Sequence, residues 1–187
     1  MSEKAGLPES SGSGFRDFAE RPIQRPVLVL GMGNILLEDE GLGIHALNLL
    51  RKQFTFSEEV EFIDGGTSGM SLIDQISSRK HLLVLDAVQT GEPPGTLVKM
   101  RDTDVPVYFG TKVTFHQLGL SDVLANLELS GEQPDHVTVL GLVPQSLEMS
   151  LELSEHINSR LSELVHAAAG ELAALGCLMP QEPAKQE

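Results

Sequence analysis

Three consecutive acids, Glu38, Asp39 and Glu40, follow an apolar run and a Gly-x-Gly turn in the stretch GMGNILLEDEGLG, residues 31–43. A further carboxylate, Asp86, stands near the end of a second apolar run, HLLVLDAV. A histidine, His116, sits in Thr114-Phe115-His116-Gln117, the spacing of a capping box with Thr114 as N-cap and Gln117 three positions on. In the first turn of a helix the dipole disfavours the imidazolium, so the ring stays neutral, as a metal ligand must be. Glu40, Asp86 and His116 together make a two-carboxylate, one-imidazole set suited to a divalent metal with open positions. Three such groups do not saturate the ion, so further ligands must come from elsewhere. Each residue also has a plainer reading when taken alone. A carboxylate at a strand end is usually a helix cap or a solvated charge, and a lone histidine usually lies on the surface or rests satisfied in a core. Asp39 has the plain reading of a cap for the helix that follows.

The elements that must position these groups alternate along the chain. Val27–Leu30 is a continuous apolar run with β-branched residues, the pattern of a strand covered on both faces. Residues 40–53 carry Leu42, Ala46, Leu49 and Leu50 at helical spacing. Val60–Ile63 reads as a second strand ending in Asp64-Gly65-Gly66, and roughly 68–78 as a short helix with Met70, Leu72, Ile73 and Ile76 inward. His81–Val88 is mostly apolar and reads as a central strand; Gln89–Gly95, with two prolines and two glycines, is a loop. Thr96–Met100 reads as an edge strand because Lys99 interrupts its apolar pattern, and Asp102–Val113 is irregular. A helix from about His116 to Leu129, a strand at His136–Val143 and a helix from about Ser154 to Leu175 complete the order. Strands alternating with helices imply a single-domain α/β fold, a doubly wound, mostly parallel sheet with helices on both faces. Ligands of such sheets bind beyond the carboxyl ends of the strands, at the topological switch point. If the first and third strands are neighbours, Glu40 and Asp86 face one crevice there.

Composition narrows the partners. Acids outnumber Lys and Arg 27 to 13 in 187 residues, a formal charge of -14. Nucleic acid and anionic membranes are excluded as partners, because phosphate binding needs a basic footprint. No apolar run approaches ~18 residues, and no signal-peptide core stands at the N-terminus. One cysteine, Cys177, rules out an internal disulfide and fits a reducing compartment, so the expected location is the cytoplasm. Residues 1–24 and 180–187 are rich in polar and charged residues with Gly or Pro and are expected to be disordered extensions of a domain at 25–179.

Other chemistries fit less well. The dinucleotide fingerprint needs a third glycine where this chain has Leu36, and the acids at 38–40 would repel a pyrophosphate. Gly66-Thr67-Ser68-Gly69 lacks the spacing of a nucleophile elbow, and no His-Glu-x-x-His occurs. Cys177, at a helix end, reads as an inert packed thiol, and the remaining five histidines form no constellation. Asp64 has a structural reading, bracing the Gly65-Gly66 turn, with the glycines supplying positive φ.

The GMGNILLEDEGLG turn, the DGGTSGM segment, the LDAV strand end and the FHQLGLSDVL helix, in that order, resemble the hydrogenase maturation endopeptidases over roughly residues 26–178. The resemblance implies removal of a C-terminal extension from the nickel-iron hydrogenase large-subunit precursor after nickel insertion. It implies that Glu40, Asp86 and His116 contact nickel that the substrate supplies, leaving the free enzyme metal-free or holding an adventitious divalent cation. Asp39 becomes a candidate to position water, and Asp64 a second-line catalytic candidate. A metal-loading checkpoint that binds the same precursor without cutting it is the alternative; a nucleotide-binding α/β enzyme ranks behind both.

Overall fold

Apolar runs without alternation need cover on both faces, and a parallel sheet between two helical layers supplies it. The computed structural model describes residues 24–105 and 115–180, without the side chains of 115–118. Strands β1 (Val27–Met32), β2 (Val60–Gly66), β3 (His81–Ala87), β4 (Leu97–Arg101) and β5 (His136–Leu142) form one sheet in the order β2-β1-β3-β5-β4. Four strands are parallel; β4 joins β5 antiparallel at the edge. From β1 the chain moves outward to β2, and from β3 it moves the other way, so the order reverses between β1 and β3. That gap is the switch point where such sheets open a crevice.

Helices α1 (Leu42–Gln53) and α4 (Glu155–Ala174) cover one face. Leu42, Ala46, Leu47 and Leu50 meet Ile157, Leu161, Leu164 and Leu172 over Val27, Val29, Leu83, Leu85 and Leu140. The short turn α2 (Ile73–Ile76) and helix α3 (Phe115–Ser130) cover the other. Leu72, Ile76, Leu120, Val123 and Leu127 there bury Leu28, Leu30, Leu82, Val84 and Val139. Ser154 caps α4, its hydroxyl accepting from the Ile157 N–H at 3.4 Å, and a β-bridge between Phe56 and Leu178 pins the segment after α4 to the fold.

Two elements differ from the pattern the sequence suggests. A 3₁₀ turn, Glu38–Gly41, precedes α1, so the helix starts at Leu42 and not at residue 40. The expected helix over 68–78 contracts to a 3₁₀ turn at Met70–Leu72 and the single turn of α2, and Met70 is exposed. Gly69, just before it, passes close to α3: an added Cβ would lie 3.1 Å from the Gly119 Cα. The extensions expected to be disordered lie outside the described residues except for Gln24 and Pro180, as does Thr114, the proposed N-cap.

Candidate functional site at the switch point

Pairing between β1 and β3 ends at Gly31 and Leu85, and Asp86 is the next residue of β3. It stands where β1 parts from β3, while β3 stays paired to β5 through Asp86 and Gly141. Asp86 is 1% exposed, and its Oδ1 accepts the Ala87 N–H at 2.8 Å. Strand alternation puts it on the face of Leu82 and Val84, the face α3 covers. Position 116 lies four residues before Leu120 and seven before Val123, two of the residues that seat α3 on that face. The Gly69–Gly119 approach, 2.8 Å from an added Gly119 Cβ to the Gly69 Cα, fixes the first turns of α3 beside the loop after β2. The His116 ring itself lies outside the described side chains. Among the described residues no three His, Cys, Asp or Glu side chains converge as a cation cage.

Glu40 reaches the same rim through a tightly folded turn. Gly33 has φ +127°, and a Cβ there would sit 1.8 Å from the Glu40 carbonyl oxygen. Only glycine permits that backbone to fold back on itself. A Cβ at Gly43 would fall 2.0 Å from the Leu85 carbonyl oxygen and 2.4 Å from that of Met32, so α1 begins wedged between β1 and β3. The 3₁₀ turn thus packs on β3 and presents half-buried Glu40 beside the strand that carries Asp86. Glu38, one residue into the turn, holds φ +46°, a strained value for a residue with a side chain.

Asp39 turns inward, away from this crevice, and is fully buried. It caps neither the 3₁₀ turn nor α1, contrary to the plain reading above. Its Oδ2 accepts the Gln145 N–H at 2.9 Å, the Ser146 N–H at 3.0 Å and the Ser154 hydroxyl at 2.9 Å, and its Oδ1 accepts the Ser154 N–H at 2.8 Å. One carboxylate therefore ties the acidic turn to the loop after β5 and to the first turn of α4. No motif marked Gln145 or Ser146 as its partners; the only local signal was Ser154 at a helix start. Asp64 is exposed at the end of β2, across from Gly31, and its Oδ1 accepts the Gly66 N–H at 3.0 Å, with Gly66 at φ +51°. It braces the turn as a small polar residue beside a left-handed glycine does.

A well-formed hollow of about 340 Å³ lies elsewhere, near the amino ends of β3 and β5, lined by His81, Arg101, Asp102, His136 and Glu171 among others. His81 and His136 stack there with centroids 5.1 Å apart. Burial first, then the neighbouring His136, hold the His81 ring below the usual histidine range. Cys177 is a buried free thiol, and burial pushes its pKa up, which fits an inert role.

Known proteins of the same shape and sequence settle the family. The family profile described as HycI, hydrogenase maturation protease, matches residues 44–171, a span that takes in Asp64, Asp86 and His116. The Escherichia coli hydrogenase 2 maturation protease is 38% identical over 151 residues, covering 80% of this chain and 92% of the relative. This chain belongs to the hydrogenase maturation protease family. The hydrogenase maturating endopeptidase HybD from E. coli superposes with a TM-score of 0.80 at 37% identity, covering 83% of this chain and 97% of that one. A hydrogenase 2 maturation peptidase from a Thaumarchaeota archaeon is 33% identical with a TM-score of 0.57, covering 80% and 97%. As a maturation protease the chain is a hydrolase, an endopeptidase on a five-stranded α/β scaffold. Among its described residues no helix is long and apolar enough to cross a membrane.

Proposed function

We propose that this maturation protease removes the C-terminal extension of a nickel-iron hydrogenase large-subunit precursor and recognises nickel already seated in that substrate. The observation that carries the reading is the placement of Asp86 at the β1–β3 switch point, with the Glu40 turn packed against the same strand, in a chain of this family. Two carboxylates from adjacent elements suit a divalent cation presented from outside, and position 116, on the Leu120–Val123 stripe of α3, is the candidate for an added imidazole. The nickel is substrate here. Held by the precursor, it leaves positions open to oxygen and nitrogen donors, and a precursor without metal offers nothing to engage. Once engaged, it can polarise the scissile carbonyl or lower the pKa of a water. Asp39 acts by holding the turn that presents Glu40, and Asp64 by bracing the loop beside it. The reaction runs in the cytoplasm, consistent with one buried, unpaired cysteine.

The test uses purified protein and nickel-loaded precursor, followed by intact-mass spectrometry. Loss of a C-terminal peptide by wild type, abolished by Glu40→Gln, Asp86→Asn or His116→Ala in folded protein, is the expected result. Normal processing by all three variants refutes the trio. A stable complex without any mass loss supports the metal-loading checkpoint instead.

A further inference from the structure

Of the nine exposed large apolar side chains among the described residues, five gather on two loops. Ile35 and Leu36 lie in the turn after β1, and Leu147, Met149 and Leu151 in the loop after β5, with Met149 88% exposed. The loops are bound backbone to backbone: Ser150 N–H donates to the Leu36 carbonyl at 3.2 Å, and Glu38 N–H to the Ser150 carbonyl at 3.0 Å. Asp39 adds its clamp on residues 145–146. The apolar groups therefore stand on a fixed platform that cannot fold away, a surface of the kind that marks an interaction site.

The two segments that carry it hold charge of one sign. Residues 31–50 and 144–159 contain Glu38, Asp39, Glu40, Glu148, Glu152 and Glu155 and not one Lys or Arg. Next to the platform, Glu38, Gln145, Ser154, Glu155, His156 and Ser159 line a polar hollow of about 490 Å³. It can take an ammonium or guanidinium head whose stem runs over apolar surface. The same 3₁₀ turn that starts at Glu38 carries Glu40, so the platform is continuous with the candidate site.

We propose that the paired loops are the docking platform for a polypeptide stretch of the precursor in which apolar residues are flanked by Lys or Arg. This rests on the endopeptidase reading above and specifies how its substrate is held. A second copy of this chain is a poor occupant, because the acidic rim would face itself.

The experiment measures processing of nickel-loaded precursor by wild type, by Leu147→Glu/Met149→Glu, by Glu148→Lys/Glu152→Lys, and by Leu129→Glu as a matched exposed control outside the platform. Circular dichroism and urea midpoints verify that each variant is folded. Both platform variants should raise KM by about tenfold or more while kcat changes far less, and Leu129→Glu should keep the wild-type KM. Added salt should raise the wild-type KM and affect Glu148→Lys/Glu152→Lys much less. A wild-type KM in the platform variants overturns the proposal, as does a fall in kcat alone. A wild-type dimer in sedimentation that the platform variants dissociate assigns the face to a second copy and also overturns it. All three outcomes leave the endopeptidase standing; a wild type that never cuts the precursor removes both.

Discussion

Replacing Asp39 probes the join between the acidic turn and the rest of the rim. The carboxylate is fully buried and accepts from four donors on two other segments. A buried donor left without a partner costs about 1–3 kcal/mol. The low end applies, because all four bonds are part-buried rather than fully enclosed. At about 1 kcal/mol for each donor, Asp39→Ala should cost about 4 kcal/mol, a large part of the roughly 5–15 kcal/mol that holds a domain together. Asp39→Asn keeps the shape. With its amide oxygen at the three-donor position, its NH₂ is turned against the Ser154 N–H, a donor facing a donor. About 2 kcal/mol is the expected loss. Urea unfolding followed by circular dichroism measures both, with the slope m unchanged if only native contacts are lost. A loss under about 1 kcal/mol for the alanine variant would refute the clamp. The kinetic split separates clamp from chemistry. A loosened clamp lets the 3₁₀ turn drift, so KM rises in the folded asparagine variant. Wild-type stability and KM with a collapsed kcat would instead place Asp39 among the reacting groups.

Gly33→Ala must displace the Glu40 carbonyl and hold an alanine at φ +127°, so it should lower stability by about 2–4 kcal/mol and impair processing, read by thermal melting and the mass assay. Glu171 pairs with Lys99 and Arg101 on the edge strand. Burial alone would raise its carboxyl, but those two cations bring it net below the usual range. Its stabilisation is present above the ordinary value of 4.5 and is lost as pH falls through the lower folded value, so Glu171→Gln should cost at most about 1 kcal/mol at neutral pH and converge with wild type in acid. His81 carries the opposite charge logic. Its folded pKa lies below 6.5, through burial and then His136, with Lys80 lowering it and Asp135 and Asp102 raising it. The unfolded chain takes up the proton first as pH drops below 6.5, so stability falls there, and His81→Gln should flatten that part of the profile. An NMR titration should move the His81 midpoint upward in His136→Ala.

Several features of the fold were legible because they are local. Val27–Leu30 and His81–Val88 are unbroken apolar runs, and such runs survive only inside a sheet covered on both sides. The 3- and 4-residue steps from Ile157 to Leu172 fixed the buried stripe of α4, and Ser154 its start. Glu40 and Asp86 stood out because each follows or closes a strand, where α/β proteins place ligands. The chain's own order could not give the rest. Three acids in a row do not reveal which points inward; that depended on a 3₁₀ turn forced by Gly33 and Gly43 against neighbouring backbone. The bond from Asp39 to Ser154 spans 115 residues, and the bonds that zip residue 36 and residue 38 to residue 150 span nearly as many. No local period records such pairings. They exist because β1, β3 and β5 end at one rim, and it is the order of strands in the sheet that brings their loops within hydrogen-bond reach.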